Sequence, residues 1–208
     1  MLKLGDYNTL RIRKRTEYGL YLDGGEEGNI LLPNRYVTKD MHIGDEIEVF
    51  IYLDQDERTI ATTEHPIAKV GEFAYLECAW TNEYGAFLHW GLMKDLFCPF
   101  REQKTRMEKG KIYYVYILED EKTHRLMATA KVERYQKNDG RQRVLDFAEV
   151  FLRYLYEHDG FCDLGDKSPA EDIYERFQIS KKDYKKAIGD LYRRRLITIS
   201  EEGIRLVN

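Results

Sequence analysis

The sequence has no apolar run near the roughly 20 residues that a membrane helix needs. Residues 1–15 also contain no apolar segment of the kind that signal peptides carry. We therefore expect a cytoplasmic protein without a membrane partner. Only three cysteines occur, Cys78, Cys98 and Cys162, and they share no C-x-x-C spacing and lie among apolar neighbours. An odd number without ligand spacing predicts buried, reduced thiols rather than disulfides or a metal site.

Catalytic motifs are lacking as well. The sequence contains no G-x-x-x-x-G-K-[ST] phosphate loop, no G-x-G-x-x-G, no G-x-S-x-G and no H-E-x-x-H. The five histidines are dispersed, and acidic residues fall mainly in turns and on wet strand faces. We expect no catalytic residues, cofactor, metal or small-molecule substrate, and hence no enzyme.

An internal repeat organises the first two thirds of the chain. The hexapeptide Glu-Tyr-Gly-Leu-Tyr-Leu at 17–22 returns 66 positions later as Glu-Tyr-Gly-Ala-Phe-Leu at 83–88. The same offset, without a gap, also aligns glycines, one proline and alternating apolar positions. Repetition at such positions indicates a shared backbone geometry and core. Residues 1–66 and 67–135 are therefore predicted to be two copies of one small domain.

Each copy reads as five short strands. In the first copy, alternating and β-prone stretches place the strands at 7–15, 18–22, 29–33, 46–53 and 58–62. Gly19 interrupts the second of these stretches, which predicts a bulge or a sharp bend at a barrel corner. The polar stretch after the third strand predicts a loop with one helical turn. Five short strands of this kind favour a small closed barrel.

The last third of the chain changes to helical spacing. Residues 136–143 are polar and are predicted to be a linker, and 144–208 form a separate domain. Its first helix is followed by Ser168-Pro169-Ala170-Glu171, which predicts a capping box at the start of a second helix. A third helix is predicted over 180–195 and a hairpin over 196–207. Three helices and a hairpin predict a winged helix-turn-helix.

The formal net charge is −4, yet the third helix is strongly basic. At 100° per residue its cations lie nearly opposite its apolar residues. This basic helix face consists of Lys181, Lys182, Lys185, Lys186 and Arg193. Recognition helices have this layout, but so do ordinary surface helices, so nucleic-acid contact and a solvated face both remain open. The acidic pair Glu201-Glu202 in the hairpin argues against a contact between this wing and phosphate.

The ordered pieces E-Y-G-L-Y-L, L-L-P-N, I-G-D-E-I-E-V and L-D-Q-D-E-R-T-I resemble the S1 domain, an OB-fold RNA-binding barrel. Combined with a C-terminal winged helix that contains D-K-S-x-x-E-x-I and G-I-R-L-V, the whole chain resembles the conserved virulence factor B family of bacterial RNA-binding regulators. The implied fold is multidomain and mostly β plus α, with two tandem OB-fold, S1-like five-stranded barrels and a winged helix-turn-helix. That family usually has a further S1-like module before the winged helix, and this chain lacks it.

The resemblance also implies RNA-binding positions on both barrels. They comprise two aromatic stackers per barrel, the residues that follow the third strand, and an Asp with a basic partner near the last strand. In this sequence they are Tyr18, Tyr21, Asn34, Arg35, Asp54 and Arg58, followed by Tyr84, Phe87, Phe100, Arg101, Asp120 and His124 or Arg125. Aromatic rings on an OB barrel can stack on bases. The competing interpretation is that these rings belong to the barrel cores.

The predicted function is that of a non-enzymatic regulator that binds single-stranded RNA through barrel aromatics, with the basic helix face adding electrostatic contacts. One alternative is a DNA-binding regulator that uses the winged helix and keeps its barrels for protein interaction. Another is a protein adaptor on the ribosome or RNA polymerase, with the aromatic residues inside the cores.

Overall fold

The computed structural model describes residues 2–135 and 140–207. Part of the predicted linker, 136–139, lies outside the described residues, and the backbone is helical from Gly140 onward. Among the described residues, ten strands precede that helix. They are β1 Tyr7–Thr16, β2 Gly19–Asp23, β3 Asn29–Pro33, β4 Glu46–Leu53, β5 Thr59–Thr62, β6 Phe73–Thr81, β7 Gly85–His89, β8 Leu96–Pro99, β9 Ile112–Glu119 and β10 Leu126–Thr129.

These strands form two closed barrels of the same topology. The first has the order β1-β2-β3-β5-β4 and closes where β1 pairs with β4. The second repeats that order with β6 to β10. Each contains one parallel pairing, Leu31 with Ile60 and Phe97 with Met127. A short 3-10 turn follows the third strand in both barrels. The prediction of two five-stranded OB barrels is confirmed.

The glycine of the repeated hexapeptide is required by a close backbone approach. A Cβ placed on Gly19, whose φ is +146°, would lie 2.0 Å from the carbonyl oxygen of Leu32. A Cβ on Gly85 would lie 2.4 Å from the carbonyl oxygen of Cys98. Both glycines therefore let the second strand of the barrel start directly against the third.

The sequence left a bulge or a sharp bend open at Gly19, and the bulge lies on the neighbouring strand instead. The pairing of β1 with β2 shifts between Ile12 and Lys14. The equivalent shift in the second barrel lies between Cys78 and Trp80. The extra residue thus belongs to the first strand of each barrel, whereas Gly19 begins the second strand just after the hairpin turn.

Aromatic side chains on the outer surfaces of the barrels join the domains. Phe50 and Tyr52 on β4 are buried, and the ring of Phe50 packs edge-on against Trp90 of the second barrel at 5.8 Å. Lys69 and Asp6 add an ion pair of 2.8 Å across the same junction. The two barrels therefore share one hydrophobic cluster.

The winged helix docks on the other side of the second barrel. Tyr75 on β6 is fully buried, and its ring lies 5.2 Å from that of Phe147. Lys111 pairs with Glu175 at 3.0 Å beside this contact. One cluster of buried residues thus runs from the second barrel into the helices.

The C-terminal domain contains α1 Gly140–Glu157, α2 Ala170–Phe177 and α3 Lys181–Arg193. Its strands are β11 Phe161–Cys162, β12 Ile197–Ile199 and β13 Ile204–Leu206, in the sheet order β11-β13-β12. The winged helix is confirmed, with one short strand, β11, that the sequence pattern did not predict. α3 ends at Arg193, earlier than predicted.

The start of α2 differs from the prediction. Pro169 is the N-cap residue and offers no side-chain cap, and the hydroxyl of Ser168 accepts a hydrogen bond from the Gly165 amide at 2.9 Å. The predicted capping box is therefore wrong, because Ser168 is engaged by the preceding loop. At α3, by contrast, Ser180 is the N-cap residue and its side chain accepts a hydrogen bond of 3.2 Å from the Asp183 amide.

All three cysteines are free and buried, as predicted. Burial raises the pKa of Cys78 to about 11 and that of Cys98 to about 12. Within residues 2–135 and 140–207, no helix is long and apolar enough to cross a membrane.

Candidate nucleic-acid interface

Three aromatic rings line the outer face of the second barrel where β6, β7 and β8 run side by side. The Trp80 and Phe87 rings are parallel within 2°, with centroids 3.7 Å apart, and Phe97 lies 5.0 Å beyond Phe87. The indole nitrogen of Trp80 donates a hydrogen bond of 3.0 Å to Asp95, which fixes the ring. Trp80 remains 44% exposed, so it offers an aromatic surface of fixed orientation on which a base can stack.

Tyr18 and Tyr84 lie in the equivalent first hairpin turns of the two barrels. Their side chains are 64% and 66% exposed. The backbone beneath them is fixed, because the amide of Asn34 donates to the Tyr18 carbonyl at 3.0 Å and the amide of Phe100 donates to the Tyr84 carbonyl at 3.1 Å. Both rings therefore project from rigid turns into solvent and contribute little to the barrel cores.

The first barrel replaces the ring stack with a cation over a ring. The ammonium of Lys14 lies 4.8 Å from the centroid of Tyr21, its cross-strand neighbour. Leu20 and Leu22 on either side are fully buried, whereas Tyr21 is only half-buried. Tyr21 thus faces away from the barrel interior. This face combines one ring with a positive charge.

Asn34 and Arg35 follow β3 at the edge of this face. The side-chain amide of Asn34 donates to the Glu17 carbonyl and so helps to hold the Tyr18 turn. The guanidinium of Arg35 lies 4.6 Å from the Tyr36 ring centroid and contacts the sulfur of Met93 in the second barrel. Arg35 therefore stands at the junction of the barrels.

Asp54 shapes the turn between β4 and β5. It accepts the amides of Asp56 and Arg58 and the Arg58 guanidinium, each at 2.9 Å. Burial raises its pKa, but the hydrogen bonds from Arg58 outweigh that effect and leave the pKa below its usual range. The carboxylate is therefore committed to the turn, and Arg58 is the exposed member of the pair.

Asp120 occupies the matching turn of the second barrel. Its carboxylate accepts the amide and hydroxyl of Thr123 at 2.9 and 3.0 Å, and these contacts hold its pKa below its usual range. Its cationic partner is Arg101 at 3.0 Å.

The other two basic residues expected near Asp120 pair elsewhere, and Phe100 also has a cationic neighbour. His124 pairs with Glu119 at 2.8 Å, and Arg125 pairs with Glu57 of the first barrel at 3.3 Å. Phe100 lies beneath the guanidinium of Arg106, 3.3 Å from its ring centroid. The Asp and basic residue of the sequence pattern are thus paired within the first barrel and rearranged in the second.

A cleft of about 580 Å³ opens between the barrels. Among the predicted residues, Tyr84, Phe87, Arg101, Asp120 and Arg125 all line it. Within residues 2–135 and 140–207, no cluster of three or more His, Cys, Asp or Glu side chains could hold a metal ion.

Sequence reasoning missed Trp80, Phe97 and Lys94 in this region. A signal for two of them was present in the repeat. Trp80 and Phe97 align with Lys14 and Leu31 of the first copy, which flank Tyr21 across the strands. Cross-strand pairing of the predicted strands would have placed both rings beside Phe87.

The basic helix face lies on α3 as predicted, with its apolar residues Tyr184, Ala187, Ile188 and Leu191 buried. Its lysines are partly neutralised locally. Lys186 pairs with Asp183 at 3.0 Å, and Lys185 lies 4.0 Å from Asp166. In the wing, Glu201 pairs with Lys167 at 3.2 Å.

Comparison with known proteins assigns both ends of the chain. Residues 4–64 match the S1 domain family, and residues 149–206 match the CvfB-like winged helix domain. Uncharacterized protein YitL of Bacillus subtilis is 27% identical over 267 aligned positions, which cover 91% of this chain and 89% of that protein. Conserved virulence factor B of Staphylococcus saprophyticus is 26% identical, covering 96% of this chain and 70% of that protein.

A crystal structure of a multidomain protein with nucleic acid binding domains from Streptococcus pneumoniae covers 97% of this chain and 75% of its own. Its sequence identity to this chain is 19%, and the TM-score is 0.29. The alignment with the Bacillus subtilis protein is longer than the 208 residues of this chain, so that relative has residues without a counterpart here.

Two OB-type barrels, the first of which matches the S1 domain, and a winged helix define a nucleic-acid-binding protein, and neither matched family is an enzyme family. Within that class, the chain is similar to conserved virulence factor B, in its CvfB-like winged helix domain and in the alignment over most of its length, as the sequence resemblance indicated.

Proposed function

We propose that this protein binds single-stranded RNA on its two barrel faces and acts in post-transcriptional regulation. The observation that carries the proposal is the pair of exposed tyrosines on equivalent rigid turns, Tyr18 and Tyr84. A large exposed aromatic ring that its own fold does not bury is suited to stacking on a base. The parallel Trp80 and Phe87 rings extend such a surface along the second barrel.

Single strands suit these faces better than a duplex does. Bases of a duplex are stacked on one another and cannot lie on protein rings, whereas an unpaired strand offers them freely. Three cations of the first barrel, Lys14, Arg35 and Arg58, can contact phosphates of the bound strand. They are few for a strand with one phosphate per nucleotide. Stacking is therefore expected to contribute more than phosphate contact at the barrels.

A second candidate is duplex DNA bound by the winged helix. The basic helix face supports it, because α3 buries its apolar residues and leaves its lysines at the surface. Recognition helices enter the major groove with such a face. The acidic wing opposes it, since Glu201 and Glu202 would meet phosphate.

The test is a binding comparison of one 20-nucleotide sequence as single-stranded RNA, single-stranded DNA and duplex DNA at two salt concentrations. We expect single strands to bind more tightly than the duplex, and RNA more tightly than DNA. Preference for the duplex, with a steep salt dependence, would favour the DNA-binding candidate. Binding of none of them would leave the protein-adaptor alternative.

A further inference from the structure

Both barrels build the walls of the cleft. The first barrel contributes Tyr52, Leu53 and Glu57, from the end of β4 and the turn before β5. The second barrel contributes the rings of Phe87 and Phe97. A cleft that is assembled this way exists only while the barrels are docked, and the buried contact of Phe50 with Trp90 holds them together.

The size and lining of the cleft suit a flat, mostly apolar group. Its volume of about 580 Å³ lies within the range of small-molecule sites, roughly 300–1,000 Å³. Phe97 and Phe87, with centroids 5.0 Å apart, give the inner wall flat π surfaces. Tyr84 also lines the cleft and is largely exposed.

The rim carries three cations whose positions are fixed by ion pairs. Lys94 donates to the Asp54 carbonyl at 2.7 Å and to Glu57 at 3.1 Å. Arg125 reaches Glu57 through Nε at 3.3 Å, and Arg101 reaches Asp120 through one terminal nitrogen. A guanidinium has five N–H donors, so among the described contacts both arginines keep donors for a phosphate.

We propose that this cleft is a composite nucleotide site, in which one unstacked base of a single strand enters between the barrels and its phosphates meet Lys94, Arg101 and Arg125. The proposal rests on the proposed function and adds a location that neither barrel could supply alone. Glu57 lies between two of the rim cations and is the anion with which a phosphate competes.

Because Glu57 competes with phosphate for these cations, removal of its charge should raise the affinity for RNA rather than lower it. Glu57→Gln removes the competing charge without removing any cation, so single-stranded RNA should bind about three- to tenfold more tightly at low salt. The matched control is Glu46→Gln. Glu46 is also an exposed first-barrel carboxylate that pairs with an arginine at 3.3 Å, but its partner Arg11 lies outside the cleft. The control should stay within about twofold of the wild type, since screened surface pairs contribute little.

Mononucleotides probe the base pocket itself, because one nucleotide is too short to follow a barrel face. Of the two tryptophans of the sequence, Trp80 stacks on the cleft residue Phe87, and Trp90 is a buried residue of the cleft lining. We expect AMP, CMP, GMP or UMP to quench their fluorescence in a saturable way. The affinity for the mononucleotide should rise in Glu57→Gln and stay unchanged in Glu46→Gln.

The two hypotheses fail in different ways. If the wild type binds single-stranded RNA but Glu57→Gln equals the control or weakens binding, the composite site is wrong and the proposed function stands. RNA binding without quenching by any mononucleotide would likewise reject a base in the cleft. If the wild type binds no single strand at all, the proposed function itself fails.

Discussion

Replacing Tyr18 and Tyr84 by alanine together removes the two exposed rings that we assign to base stacking. Both side chains are about two thirds exposed, at 64% and 66%, so their loss removes little packing. Surface changes of this kind usually alter stability by less than about 0.5 kcal/mol each. The double variant should therefore keep its thermal transition within a few degrees of the wild type.

The effect on binding should be much larger than the effect on stability. Stacking of a base on an aromatic ring is worth about 1–3 kcal/mol. The two turns belong to different barrels, so their contributions should add to about 2–6 kcal/mol. At 1.4 kcal/mol per factor of ten, affinity for single-stranded RNA should fall by about 30-fold at least.

Fluorescence anisotropy of a labelled RNA long enough to span both barrels measures this loss. The control is Tyr156→Ala on α1, which removes a tyrosine that is 75% exposed but belongs to the winged-helix domain rather than to a barrel. It should bind like the wild type. Equal affinity of the double variant and the wild type, with both folded, would refute the stacking assignment for these tyrosines.

Three further predictions follow from other parts of the molecule. Alanine at the four lysines of the basic helix face should reduce the slope of log K against log salt by about 0.7 for each phosphate that these lysines neutralise. An unchanged slope in salt titrations of RNA binding would show that α3 does not contact RNA. Gly19→Ala should lower the free energy of unfolding by more than about 2 kcal/mol in urea titrations, because its Cβ would lie 2.0 Å from a carbonyl oxygen. Gly189→Ala on α3, whose Cβ would have nothing within 4 Å, should raise the free energy of unfolding by about 0.5–1 kcal/mol. The reverse order would contradict the backbone assignment. Cys98, with a pKa of about 12, should react with thiol reagents at pH 8 only as fast as the protein unfolds, and rapid labelling of the native protein would contradict its burial.

The barrels were predictable because their signals are local and occur twice. Gly19 and Gly85 recur at the same offset and serve the same close approach to the third strand. The apolar alternation that fills each interior also recurs, so the number of strands in each barrel follows from one pattern. The capping box at Ser168 failed because its hydroxyl is used by a loop contact that no pattern of one segment reveals.

The use of outward aromatic residues was not predictable from periodicity. Tyr75 and Tyr84 both lie outside the barrel interior, yet Tyr75 is fully buried against the winged helix and Tyr84 is exposed. Phe50 is likewise buried by the neighbouring barrel. Alternation along a strand tells which side chains face outward, but only the packing of domains decides which of these meet solvent.

The inter-barrel cleft was out of reach for the same reason. Glu57 and Arg125 are 68 positions apart by their numbers and belong to different repeats, so their ion pair depends on how the barrels dock. The exposed rings of the repeat could be proposed from the sequence. The residues of the other barrel that complete the cleft could not be proposed from the sequence.

Photocrosslinking tests the central claim most directly. Single-stranded RNA carrying 4-thiouridine is irradiated with the intact protein, and the crosslinked peptides are identified by mass spectrometry. If the barrels bind RNA by stacking, crosslinks should concentrate on the exposed faces around Tyr18 in the first barrel and around Trp80 and Tyr84 in the second. Crosslinks confined to α3, or spread evenly over the surface, would contradict the account.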